Sequence, residues 1–66
     1  MEMVNVRSNC MRAVGYDPET RRMKITFAEG KTYDFCGVPE KIFKDLLAAS
    51  SKGTYYNIHI RDKFQC

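Results

Sequence analysis

Cations, hydrogen-bonding side chains and two adjacent tyrosines are concentrated in the last quarter of the chain. They are Lys52, Tyr55, Tyr56, Asn57, His59, Arg61 and Lys63. Positive side chains can hold phosphate groups while an exposed tyrosine stacks on a base. Helical neighbours point about 100° apart, so Tyr55 and Tyr56 cannot both be fully buried on one stripe. The stretch therefore predicts a binding surface, although a solvated basic end with one core tyrosine would have the same composition.

A second group of positive side chains lies in the first third of the chain. Its members are Arg7, Arg12, Arg21 and Arg22. The formal net charge is +3, from 11 Lys and Arg against 8 Asp and Glu, which permits an anionic partner but is below that of a strongly basic nucleic-acid binder. A solvated face is the alternative interpretation. The nucleic-acid-binding set that we predict is Lys52, Tyr55, Asn57, His59, Arg61 and Lys63, with Arg21 and Arg22 in second place.

Catalysis would need a nucleophile and a base in a recognisable arrangement, and the sequence contains none. His59 is the only histidine, and Cys10, Cys36 and Cys66 lie in no nucleophile motif. A zinc site needs ligands paired at short spacing, which these residues lack. We therefore expect a non-catalytic domain with no metal and no cofactor. The cysteines are odd in number and widely spaced, so we expect reduced thiols in a cytoplasmic protein.

The first half of the chain predicts an antiparallel meander. Residues 1–7 are either a flexible tail or an irregular first strand. Residues 11–16 predict a short strand with a bulge, since Met11 and Val14 break strict alternation. The Asp-Pro-Glu-Thr run at residues 17–20 predicts a turn.

The second hairpin is clearer because its apolar residues alternate. Met23, Ile25 and Phe27 have the period of a half-buried strand. A three-residue loop with Gly30 in a left-handed conformation then leads to a strand over residues 31–35. This loop pairs Phe27 with Lys31, Thr26 with Thr32, Ile25 with Tyr33 and Lys24 with Asp34. The register turns Tyr33 and Phe35 towards the core, although aromatic residues on a sheet can also stack on bases.

Helical signals fill the second half. A helix is expected to begin near Pro39 and to end before Gly53. Residues 54–64 fit a strand or a short helix, and we favour the helix because apolar residues recur at intervals of four. The predicted fold is α+β: a small antiparallel sheet of about three strands packed on one helix, with a second short C-terminal helix, in a single domain over residues 1–66.

The order of these signals resembles the KTSC domain, which occurs at the C-terminus of some lysyl-tRNA synthetases and as a free-standing small protein. The resemblance covers residues 8–64 and rests on Gly15-Tyr16-Asp17, the run from Phe27 to Phe35, Val38-Pro39, the run from Ala49 to Gly53, Tyr55-Tyr56-Asn57 and Ile60-Arg61. The central Tyr-x-Tyr of the family is Tyr33-Asp34-Phe35 here. The resemblance implies this fold and RNA as a partner, and it brings no catalytic residues.

Two functions are therefore expected for a small, soluble and monomeric domain without a membrane segment. The first is nucleic-acid binding, with RNA that is tRNA-like or single-stranded, through phosphate contacts and some stacking. The alternative is a protein-interaction module that docks on a larger partner through the helical end.

Overall fold

Antiparallel pairing of four strands organises the molecule. The computed structural model describes residues 1–66, with the elements β1 (Met3–Asn5), β2 (Met11–Asp17), β3 (Arg22–Phe27), β4 (Thr32–Phe35), α1 (Glu40–Ala48) and α2 (Lys52–His59). The strands lie side by side in the order β1-β2-β3-β4. The predicted α+β class is confirmed, with one strand more than expected. That strand is β1, in the segment for which the sequence left a tail and a strand as alternatives.

The β3–β4 hairpin has the register that its loop length predicts. The paired residues are Met23 with Phe35, Lys24 with Asp34, Ile25 with Tyr33 and Thr26 with Thr32. Gly30 has a φ of +100° and donates its N–H to the Phe27 carbonyl at 2.9 Å. The hydroxyls of Thr26 and Thr32 lie 2.8 Å apart across the strands. Turn geometry and cross-strand pairs thus agree, as the sequence predicted.

The first hairpin carries the predicted bulge, since the register of β2 against β3 shifts between Met11 and Ala13. Gly15 lies outside this bulge and contacts β1 instead. It pairs with Met3 of β1, and a Cβ atom at this position would lie only 2.6 Å from Met3 Sδ. A glycine here therefore allows β1 to pack closely on β2.

One face of the sheet packs against both helices. The buried core consists of Met11, Val14, Met23, Ile25, Phe35, Val38, Leu46 and Ile60. The α1 helix covers the end of β2, where Phe43 stacks on Tyr16 with ring centroids 5.2 Å apart. The α2 helix covers β3 and β4. The ring centroid of its Tyr56 lies 5.2 Å from that of Phe27 and 6.1 Å from that of Phe35.

The boundary between the helices differs from the prediction. Helix α1 ends at Ala48, because Ala49 has an extended backbone, and Gly53 belongs to α2 instead of terminating α1. A Cβ atom on Gly53 would lie 3.1 Å from the Sγ atom of Cys10, so glycine lets α2 approach the chain there. The preference for a helix in the C-terminal segment is confirmed. Neither helix is long and apolar enough to cross a membrane.

Tyr33 is the exception in the predicted core. It shares a sheet face with Ile25, as the register requires, and its ring lies 5.6 Å from that of Phe27. Its residue surface is nevertheless 46% exposed, whereas that of Phe35 is only 8% exposed. The predicted face is right and the predicted burial of Tyr33 is wrong, because the helices leave this end of β4 uncovered.

The cysteines also differ from the expectation. Cys36 and Cys66 form a disulfide, and only Cys10 is free. The N–H group of Cys36 donates to the carbonyl of Phe64 at 2.9 Å, which brings the segment after α2 back to the end of β4. This return places the two sulfur atoms together. The expectation of reduced thiols is therefore wrong for Cys36 and Cys66.

Candidate functional site

A cleft of about 930 Å³ opens between the β1–β2 loop and the N-terminal end of α2. Its lining residues are Val6, Arg7, Ser8, Asn9, Cys10, Met11, Arg12, Ser50, Ser51, Lys52, Gly53, Thr54 and Asn57. Only three of these thirteen residues are hydrophobic, so the cleft suits a polar ligand.

Backbone hydrogen bonds fix the loop that forms one wall. The Val6 N–H donates to the Arg12 carbonyl at 2.9 Å, and the Ala28 N–H donates to the Cys10 carbonyl at 2.8 Å. Within the loop, the backbone N–H of Cys10 donates to Ser8 Oγ at 3.2 Å, as in the short turns that serine favours. The loop is therefore anchored to β2 and to the end of β3, and its side chains have a defined position beside α2.

Every charged residue that lines the cleft is positive. Arg7, Arg12 and Lys52 lie in its walls, and none of the eight Asp and Glu residues does. The structure contains four ion pairs, and none of them involves these three cations. Lys52 Nζ donates to the Ala49 carbonyl at 3.0 Å, which holds this ammonium group at the helix junction. The cleft is thus a concentration of unpaired positive charge.

The helix end in the cleft adds to this charge. Ser51 precedes α2 but makes no side-chain cap, because its hydroxyl donates instead to Thr54 Oγ1 at 2.9 Å. The first N–H groups of a helix have no partner within the helix, and the helix dipole makes this end positive. Anionic groups bound in the cleft would be attracted by these N–H groups and by the three cations in its walls.

The cleft includes only some of the predicted binding residues of α2. Lys52 and Asn57 line the cleft. Tyr55 is half-buried, and its ring lies 4.4 Å from the ring of His59. Tyr55 and Asn57 are two positions apart on the helix and therefore point about 200° apart. Only Lys52 and Asn57 of this group belong to the cleft.

The surroundings of the two tyrosines raise the pKa values of both. Burial raises the pKa of Tyr55 above its usual 10.0, and the nearby negative charge of Asp45 raises it further. Burial likewise raises the pKa of Tyr56, with a smaller opposing effect from Arg61. Tyr55 therefore lies near the ion pair that Lys41 and Asp45 form on α1.

The predicted arginines of the first hairpin lie far from the cleft. Arg22 pairs with Asp17 at the end of β2, whereas Met11 at its beginning lines the cleft. The seven residues of β2 span six steps of about 3.4 Å, so these ends lie about 20 Å apart. The carbonyl of Arg21 accepts from the Val38 N–H at 2.8 Å, on the side where α1 begins.

Arg61 and Lys63 follow α2, where the chain returns towards Cys36. The Nε atom of Arg61 lies 4.0 Å from a carboxylate oxygen of Asp62, so one of the two cations already has an acidic neighbour. This end of the molecule therefore carries less unpaired positive charge than the cleft.

The sequence interpretation placed Arg7 and Arg12 with Arg21 and Arg22 in one positive region. The structure separates the two pairs and places Arg7 and Arg12 in the same cleft as Lys52. Ser8 and Asn9 are further cleft residues that sequence reasoning missed. No local pattern marks them, since the cleft forms only when the β1–β2 loop packs on α2.

The family follows from comparison with known proteins. Residues 7–64 match the family model of the KTSC domain. The chain belongs to the KTSC domain family. The resemblance inferred from its motifs is thereby confirmed. The crystal structure of a KTSC domain protein from Yersinia pestis is similar to this KTSC domain with a TM-score of 0.94 and 37% sequence identity, covering 98% of this chain and 92% of that chain.

Relatives of this KTSC domain differ greatly in length. A protein from Tsukamurella paurometabola is 38% identical over 63 residues, which are 96% of this chain and 94% of the relative. A lysine–tRNA ligase from Nostoc punctiforme is 29% identical over 63 residues, again 96% of this chain but only 11% of the ligase. Similar segments thus occur as nearly whole small proteins and as a small part of a much longer one.

Proposed function

We propose that this KTSC domain is a non-catalytic RNA-binding domain and that its cleft holds RNA phosphates. The observation that carries the proposal is the charge of the cleft. Arg7, Arg12 and Lys52 line it without an acidic neighbour in its walls and without an ion pair. Contacts between cations and phosphates supply most of the affinity in sequence-independent binding of nucleic acids.

The neutral side chains of the cleft are also suited to binding RNA. Ser8, Asn9, Thr54 and Asn57 carry hydroxyl and amide groups, which commonly donate to phosphate and sugar oxygens. The relative from Nostoc punctiforme is named for a reaction of tRNA, which favours RNA over other polyanions. Binding to phosphates needs no base-specific contact, so we expect low sequence specificity.

The placement of the two groups best suited to nucleophilic chemistry supports a non-catalytic role. The free thiol of Cys10 lies at Gly53, near the beginning of α2. His59 ends the same helix, six residues or about 9 Å further along its axis, and its ring contacts Tyr55. A cysteine nucleophile needs its base within hydrogen-bonding distance. This arrangement does not supply one.

The salt dependence of binding tests the proposal. Fluorescence anisotropy with a labelled single-stranded RNA would give the dissociation constant at several salt concentrations. Three phosphate contacts predict a slope of log K against log salt of about −2, or roughly a twentyfold loss of affinity for a fourfold rise in salt. The double variant Arg7→Gln, Arg12→Gln should reduce the slope to less than half of that value.

A matched variant distinguishes the effect of the cleft cations on RNA binding from the effect of net charge. Arg21→Gln with Arg22→Gln removes the same charge at the opposite end of the sheet and should leave the slope unchanged. Equal losses in both double variants would show that overall charge, and not the cleft, drives binding. Arg61→Gln with Lys63→Gln tests the other predicted cations in the same way. An RNA affinity too weak to detect at low salt would refute the proposed function.

One observation favours the alternative of docking on a larger protein. Ile58 lies on α2 with 58% of its surface exposed, although it is a large apolar residue. A protein partner bound there would lose affinity in the variant Ile58→Ala and would respond little to salt. Binding to RNA should be insensitive to this change.

We also propose that the domain is monomeric and that it acts in the cytoplasm. The cytosolic glutathione pool keeps most thiols reduced, whereas a disulfide persists in oxidising compartments. The Cys36–Cys66 bond therefore bears directly on the location. Thiol alkylation in freshly lysed cells should find these cysteines reduced if the protein is cytoplasmic, and oxidised if it is in an oxidising compartment.

A further inference from the structure

An exposed aromatic ring lies on the helix-facing side of the sheet, at the edge strand. Tyr33 is 46% exposed, and its hydroxyl takes part in none of the side-chain hydrogen bonds. Tyr16, by contrast, is half-buried and donates its hydroxyl to the Val38 carbonyl at 2.6 Å. Neither full burial nor a side-chain hydrogen bond explains the presence of a tyrosine at position 33.

The ring of Phe27, itself packed on Tyr56, supports the ring of Tyr33. The ring of Phe27 meets it at 5.6 Å with an interplanar angle of 69°, and meets Tyr56 at 5.2 Å with an angle of 74°. Edge-to-face contacts of this kind orient rings as well as bury them. Tyr33 is therefore supported from within the molecule, while part of its surface faces solvent.

The sheet connects Tyr33 to the cleft. Met11 lines the cleft and pairs with Phe27, and Tyr33 lies on the next strand opposite Ile25. Two strand spacings and a shift of two residues separate the Cα atoms of Met11 and Tyr33 by about 12 Å. Small domains that bind single strands cover on the order of 4–16 nucleotides, so one strand can reach both places.

We propose that Tyr33 stacks on a base of the RNA whose phosphates occupy the cleft, and that the ligand is single-stranded. This inference rests on the proposed function and specifies the form of its ligand. Bases of a single strand can turn out and stack on an aromatic side chain, whereas duplex bases are stacked on one another. Stacking on Tyr33 thus adds affinity for single strands that phosphate contacts alone do not provide.

The test compares an oligouridine with an oligomer of the same sugar–phosphate backbone that lacks bases. Tyr33→Ala should weaken binding of the oligouridine by roughly 5- to 150-fold, the range found when a stacking aromatic is removed. The same variant should bind the abasic oligomer as the wild type does. Tyr33→Phe keeps the ring and should retain affinity for both oligomers. Ile58→Ala removes another exposed apolar side chain and serves as the matched control.

Tyr33→Leu keeps apolar bulk on β4 without an aromatic ring, and circular dichroism would check that each variant folds. Retained oligouridine affinity in Tyr33→Leu or Tyr33→Ala would overturn the stacking proposal. An equal loss on the abasic oligomer would overturn it too, because Tyr33 would then act through the fold. In these cases the proposed function still holds if the wild type shows a slope of log K against log salt near −2. Absence of RNA binding by the wild type would refute both the proposed function and the stacking proposal.

Discussion

Breaking the Cys36–Cys66 disulfide is expected to remove a large fraction of the stability of this KTSC domain. The bond joins residues 30 positions apart and encloses both helices. In the chain-entropy model, a closed loop of this length restricts the unfolded state by about 12 cal/mol/K, or about 3.6 kcal/mol at 25 °C. A chain of 66 residues has a total stability of only about 3–10 kcal/mol.

Urea unfolding followed by circular dichroism, with and without a phosphine reductant, measures this contribution. Reduction should lower the free energy of unfolding by about 3–4 kcal/mol and the melting temperature by about 15–30 °C. The double variant Cys36→Ser, Cys66→Ser should match the reduced wild type and show no further response to reductant. Cys10→Ala should keep the full response, because Cys10 is the free thiol. A loss below about 1 kcal/mol would refute the reasoning, since the bond would then hardly restrict the unfolded chain.

Two further predictions concern the packing of β1 and the half-buried side chain of Tyr56. Gly15→Ala places a Cβ atom 2.6 Å from Met3 Sδ and 3.1 Å from the Glu2 carbonyl, so hydrogen exchange at the amides of β1 should become faster. Adding Met3→Ala should restore part of the protection, and unchanged exchange in Gly15→Ala would contradict the close packing. Burial raises the folded-state pKa of Tyr56 above 10.0, so its neutral form stabilises the fold fully below pH 10.0, and this stability is lost as the pH rises through the raised pKa. Urea midpoints should fall above about pH 10 and fall less in Tyr56→Phe; equal alkaline losses in the two proteins would exclude this cause.

Local chemistry was sufficient to predict the β3–β4 hairpin. A loop with Gly30 in a left-handed conformation leaves one register, and pairs such as Lys24 with Asp34 agree with it. The same alternation gave the face on which Tyr33 lies but not its burial. Burial depends on where α2 crosses the sheet, and that position is set by contacts of Tyr56 and Gly53 with distant parts of the chain.

The cleft and the disulfide depend on such distant contacts even more. Lys52 was predicted as a binding residue, but its cationic partners Arg7 and Arg12 come from the other end of the sequence. The pairing of Cys36 with Cys66 requires the chain to turn back after α2, which a backbone hydrogen bond at Cys36 secures. Spacing along the chain contains neither of these relationships, because no periodic pattern reports which loop packs on which helix end.

The most direct test of the central claim is a map of the residues that respond to RNA. Titration of the isotope-labelled domain with single-stranded RNA at low salt should shift the backbone amide resonances of Ser8, Asn9, Lys52, Gly53 and Thr54. These shifts should disappear as salt is added, because phosphate contacts are exchanged for counterions. Shifts confined to residues 61–63 or to Arg21 and Arg22, or no shifts at all, would contradict the assignment of the cleft as the phosphate site.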